Sequence, residues 1–135
     1  MRWSRSHLVG AALAGLLGLI GCGAGSSTGD GDGPSTDGTL EGRDCPEDSF
    51  LTYANFGSAF FSEYCTGCHS AQLPPRMRQE APEGIDFETL DKVRAQAASI
   101  YLRAADEYDL MPPVGGPSSE ARELLGEWLA CGAPD

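Results

Sequence analysis

The chain has 135 residues, with 20 acidic against nine basic side chains and a formal charge of −11. Lys92 is the sole lysine, so the clustered cations that phosphate binding needs are missing and nucleic acid is excluded as a plausible partner. The length leaves room for one modest domain beyond the terminal segments, and not for two.

Arg2 and Arg5 open the chain, and residues 8–20 form an uncharged run of Leu, Val, Ala, Gly and Ile. That is the pattern of a secretory signal over residues 1–21, too short and too glycine-rich to span a bilayer. The run ends in Leu19-Ile20-Gly21-Cys22, which resembles a bacterial lipobox. The resemblance implies cleavage before Cys22 and acylation of its thiol and new amino group. At about 0.8 kcal/mol per buried CH₂, two or three acyl chains anchor stably where one does not. The expected location is therefore outside the cytoplasm, lipid-anchored and facing the periplasm or the cell surface. Gly23 resembles the pattern that sorts such proteins to an outer membrane. With residues 1–21 removed, seven basic residues face twenty acids, a net charge of about −13.

Residues 22–44 are Gly, Ser, Thr, Asp and little else, and nothing there buries enough apolar area to offset ordering entropy. This segment is expected to be a flexible tether with a mean span of roughly 25 Å. The folded domain is then expected over residues 45–135. About ninety residues make a thin core, which a large apolar cofactor would help to complete.

The first helix of that domain is expected from about Asn55, as N-cap, up to Tyr64. Phe56 and Phe60 are four apart, as are Gly57 and Phe61, so apolar residues line one broad side. Directly after it stands Cys65-Thr66-Gly67-Cys68-His69, the C-x-x-C-H pattern of covalent haem attachment. Each thiol can add across one vinyl group of a porphyrin, and the turn between them presents the imidazole of His69 to the iron. A dithiol of the thioredoxin type wants strands upstream, whereas this upstream stretch is helical. A zinc site wants a fourth ligand, and the other histidine, His7, lies in the signal segment.

A second helix is expected over about 86–105, where Phe87, Leu90, Val93, Ala97, Ile100 and Ala104 recur at helical spacing. A third starts after Pro117 with Ser118 or Ser119 as cap and Glu120 and Glu123 near its positive end. It stops near Cys131, with Gly132 at the terminating position and Pro134 beyond. No β-branched alternation suggests a sheet, and the fold class is all-α.

At this point the chain resembles the small class I cytochrome c family, over essentially the whole domain. That family carries Gly-x-x-x-Phe-x-x-x-Cys in its first helix, matched here by Gly57, Phe61 and Cys65. Its last helix offers a Leu-x-x-aromatic pair, matched by Leu125 and Trp128. The resemblance implies amino- and carboxy-terminal helices crossing nearly at right angles beside one covalently bound haem c. It implies Cys65 and Cys68 as attachment points and His69 as the proximal iron ligand. The carbonyl of Pro74 or Pro75 would accept from the other ring nitrogen of that histidine. The sixth iron ligand would be Met111, in the Leu110-Met111-Pro112-Pro113 loop between the second and third helices. Met77, eight residues past His69, and an open coordination site are the alternatives.

Of five cysteines, Cys22 goes to lipid and two to haem, so elimination leaves Cys45 and Cys131 to form a disulfide in oxidising surroundings. The family does not generally have this bridge. The expected function is electron transfer, with redox proteins as partners, the membrane reached through the lipid, no small-molecule substrate and no enzymatic activity. Two other readings stand beside it. One is a peroxidase-like haem enzyme or sensor, whose acid-base group would have to be Arg76, Arg78 or Arg103. The other is a haem-free dithiol or metal-binding lipoprotein.

Overall fold

The structure, a computed structural model, describes residues 38–135. The signal segment, Cys22 and most of the expected tether lie outside the described residues. Among the described residues there are four α-helices and no strand, and no helix is long and apolar enough to cross a membrane.

The first helical segment begins one turn earlier than expected. Thr52, not Asn55, is its N-cap: the Thr52 hydroxyl accepts from the Asn55 N–H at 3.1 Å, and the Asn55 carboxamide oxygen accepts from the Thr52 N–H at 2.7 Å. This reciprocal capping satisfies two donors that the helix start would otherwise orphan. Asn55 thus occupies the third helical position, its polar side chain turned back to the cap. The segment opens with a π-type turn, Tyr53–Gly57, and continues as α1, Ser58–Tyr64.

The helix expected over 86–105 is two. Asp86 and Phe87 precede it as buried loop residues. Thr89 caps α2, Leu90–Ala95, and α3 follows as Ala97–Ala104. Gln96, with φ −116° and ψ 10°, breaks the ladder between them. Ala95, Gln96, Ala97 and Ala98 are all good helix formers, so local propensity gives no sign of this break. The inward face runs on across the break: Val93 of α2 is fully buried, Arg94 donates to the Ala133 carbonyl at 3.0 Å, and α3 turns Ile100, Tyr101 and Ala104 into the core.

The last helix, α4, spans Ser119–Ala130. The Ser118 hydroxyl caps it by accepting from the Ala121 N–H at 3.2 Å, and Glu120 sits in its first turn. It ends at Cys131 with Gly132 at φ +80°, a conformation glycine adopts without a Cβ penalty.

The core is an aromatic and aliphatic cluster around Trp128, Phe61, Leu125 and Val93, the largest fully buried side chains. Phe61 of α1 packs on Trp128 of α4 at 6.0 Å between ring centroids and on Phe87 at 5.6 Å. The carboxy-terminal tail closes over this cluster. The Pro134 carbonyl accepts from the Tyr53 N–H at 2.8 Å and from the Trp128 indole at 3.2 Å.

A disulfide joins Cys45 to Cys131, with Cα atoms 4.8 Å apart. The last residues of the expected tether are held on the domain. Leu40 packs against the core, the Gly38 carbonyl accepts from the Tyr108 hydroxyl at 2.7 Å, and Arg43 pairs with Asp106 at 3.1 Å. Leu40 supplies apolar area and Arg43 a positive charge, neither of which the preceding Gly, Ser and Asp residues offer.

Candidate haem attachment site

The C-x-x-C-H segment is the direct continuation of α1. As the helix ends, the N–H groups of Cys65 and Thr66 both turn back to the Phe61 carbonyl, at 3.0 and 2.9 Å. The next turn closes on Cys65, whose carbonyl accepts from the Cys68 N–H at 3.1 Å and the His69 N–H at 2.9 Å. Helix end and turn together hold the two thiols and the imidazole within one continuous hydrogen-bonded stretch. Among the described residues Cys65 and Cys68 are the free cysteines, since the other two are bridged to each other. Burial pushes the Cys65 thiol up to about 12, because a thiolate there would lose its hydration.

His69 is fixed through its side chain and its backbone. Its Nδ1 lies 2.9 Å from the Ile85 carbonyl oxygen, and its own carbonyl accepts from the Phe87 N–H at 3.0 Å. A carbonyl can only accept, so Nδ1 donates here, and the tautomer this contact selects is the one that leaves the lone pair on Nε2. The ring packs on Phe87 at 4.9 Å between centroids. The acceptor is thus Ile85, not Pro74 or Pro75 as the family resemblance implied. Pro75 instead opens a 3₁₀ turn, Pro75–Met77, for which its fixed φ is suited. Ile85 is 16 residues from His69, and no local pattern in the sequence marks it.

Arg78 organises the loop that brings Ile85 back. It is 3 % exposed and pairs with Asp86 at 2.7 Å, and both side chains are buried. Arg78, one of the three arginines expected to serve an open iron site, is committed to this loop instead. A second tie crosses the same region: the Glu88 carboxylate accepts from the Ala71 N–H and pairs with Lys92 at 2.9 Å.

The two methionines differ in setting. Met77 ends its 3₁₀ turn and is exposed. Met111 lies in the loop between α3 and α4, its backbone N–H donating to the Arg103 carbonyl at 2.8 Å. Its side chain is 40 % exposed, and Leu110 and Val114 beside it are more exposed still. Arg103 spends a guanidinium donor on the Ser99 carbonyl at 3.1 Å.

The donor set fits covalent haem attachment: two unoxidised thiols three positions apart, then an imidazole whose tautomer leaves Nε2 free for a metal. It fits a protein-only metal site poorly, since among the described residues no three His, Cys, Asp or Glu side chains gather as ligands. Set against protein-family models, curated proteins and solved structures, the chain finds no match.

Proposed function

We propose that this protein is an electron carrier of the small class I cytochrome c type, bearing one haem c and tethered to a bacterial membrane through acylated Cys22. The observation that carries the proposal is the placing of His69: its Nδ1 is held 2.9 Å from the Ile85 carbonyl oxygen, and the two free thiols Cys65 and Cys68 stand directly before it in the chain. A metal-bound histidine is commonly held in this way by a backbone carbonyl, which sets both its tautomer and its basicity.

When bound, haem supplies an iron that cycles between two oxidation states without bond making in a substrate. The chain's own residues supply the rest. Cys65 and Cys68 hold the group covalently, so it is not exchanged with solvent or partner. His69 would hold the iron through its imidazole, whose ring Phe87 and Ile85 steady. Met111, in the α3–α4 loop, would offer a thioether as a second protein ligand. A soft sulfur paired with imidazole raises the reduction potential relative to two imidazoles. Gly57, Phe61, Leu125 and Trp128 serve as the helix contact beside the group, in the crossed arrangement of that family.

A peroxidase-like site draws less support. It would need an acid-base group near the iron, and of the three arginines that could serve, Arg78 has all its donors engaged with Ser70, Ala81, Pro82, Ile85 and Asp86 and Arg103 has one on Ser99, which leaves Arg76.

The test is expression in a host with a haem-attachment system, followed by denaturing electrophoresis and an optical spectrum. Pigment that migrates with the polypeptide and a reduced α-band of the c type are expected. A colourless product, or pigment extracted by acid acetone, overturns the proposal. Loss of pigment on Cys65→Ala with Cys68→Ala would assign the attachment.

A further inference from the structure

A guanidinium has five N–H donors, and Arg78 uses all of them. Nε donates to the Ala81 carbonyl at 3.1 Å. One terminal nitrogen donates to the Ser70 carbonyl at 2.6 Å and to Asp86 Oδ1 at 2.7 Å. The other donates to the carbonyls of Pro82 at 2.6 Å and Ile85 at 3.3 Å. No donor remains for a substrate or for a cofactor's carboxylate.

Two of these acceptors bear on His69. Ser70 is its immediate neighbour, and the Ile85 carbonyl is the atom that takes its Nδ1 proton. One planar cation therefore ties the residue after His69 to the carbonyl that orients the His69 ring. A buried ion pair is weak support for stability, because desolvation offsets most of the attraction. Its rigid fork is better suited to fixing several acceptors in one geometry. Asp86 in turn holds the guanidinium within this ring of carbonyls.

We propose that Arg78 is a positioning residue for the His69 imidazole, acting through the Ile85 carbonyl, with Asp86 holding Arg78 in place. The proposal rests on the reading of His69 as the iron ligand. The clamp sets the direction from which Nδ1–H is held, and so the plane of the ring and the lifetime of that hydrogen bond. Loosening it lets the Ile85 carbonyl drift and exposes the Nδ1 proton to solvent exchange.

The experiment uses the haem-loaded protein and two variants, Arg78→Lys and Asp86→Asn. Lysine keeps the charge but has three donors on one atom. Asp86→Asn keeps the guanidinium but removes the charge that holds it within the ring of carbonyls, and it is the milder change, so it tests the clamp where the first variant does not fold. Two readouts are taken by NMR: solvent exchange of the His69 Nδ1 proton in the reduced form, and the spread of haem-methyl shifts in the oxidised form, which follows the imidazole plane. Exchange faster by about tenfold is expected, the factor to which the net worth of about one hydrogen bond converts, together with a changed methyl pattern. Ser118→Ala, which removes the cap of α4 far from the loop in sequence, should leave both readouts at wild-type values. If Asp86→Asn exchanges and shifts like wild type, the clamp is overturned while the haem reading stands. If the wild-type protein carries no c-type spectrum, the haem reading falls first and the clamp falls with it.

Discussion

Gly57 lies against the indole of Trp128, so closely that a Cβ at residue 57 would stand 2.8 Å from Cζ2 and 2.9 Å from Cη2 of that ring. Tyr53 Cδ2 would be 2.9 Å away on the same side. Trp128 is fully buried and cannot swing into solvent to make room. Hydrogen at this position is what lets the start of the first helix approach Trp128 of α4 so closely.

Gly57→Ala should therefore destabilise the domain. Overpacking costs about 1–3 kcal/mol, of which the better helix propensity of alanine returns up to about 1 kcal/mol. Urea unfolding should show a lower midpoint with an unchanged slope. Gly67, inside the haem motif, has nothing within 4 Å of its hypothetical Cβ, and Gly67→Ala should stay within about 0.5 kcal/mol of wild type. Equal stabilities of the two variants would refute the close contact.

The Cys45–Cys131 bridge spans 86 positions and closes almost the whole domain. The chain-entropy treatment gives about 4–5 kcal/mol for such a loop, and real bridges often deliver less. Replacing both cysteines by serine should cost about 2–5 kcal/mol in thermal or urea unfolding. A peptide map without reductant should recover the two cysteines as one linked species. Recovery of either as a free thiol would disprove the bridge.

Glu88 carries a pH dependence with a definite sign. Its hydrogen bond with Lys92 is the main cause that holds its carboxyl down to about 2, with the Ala71 N–H acting in the same direction. The folded state thus binds this proton less readily than the unfolded chain, where a glutamate titrates near 4.3. The contribution is complete above about pH 5 and is lost as pH falls from there towards 2. The stability difference between wild type and Glu88→Gln should be constant from pH 6 to 8 and shrink below pH 5, read from urea midpoints at each pH. A difference that grows on acidification would reverse the assignment.

Met111 and Met77 can be separated in the haem-loaded protein. Met111→Ala should remove the weak sulfur-to-iron band of the oxidised form and lower the reduction potential, because a thioether ligand is lost. Met77→Ala should leave both unchanged. Persistence of band and potential in the first variant would rule Met111 out as ligand.

Much of this protein is written locally in its chain. The Cys65–His69 pattern, the Ser118 cap and Gly132 stop of α4, and the apolar side carrying Gly57 and Phe61 all depend on residues within a few positions of one another. Helix spacing and capping act over that range, so they can be read without a fold. The Cys45–Cys131 bridge agrees with a count that expects Cys22 to take lipid and Cys65 and Cys68 to take haem.

The partners of the site were a different matter. Ile85 meets His69 across 16 residues, and Arg78 gathers carbonyls from Ser70 to Ile85 that share no periodicity. Thr52 displaced Asn55 as cap because two side chains could satisfy each other's backbone donors. Gln96 interrupts a run of good helix formers, and nothing in the local sequence marks the break. Order along the chain determined which atoms could carry a haem. Only the folded loop decided which carbonyl steers the imidazole, because a hydrogen bond between distant residues exists when the intervening chain returns, and that return depends on packing as a whole.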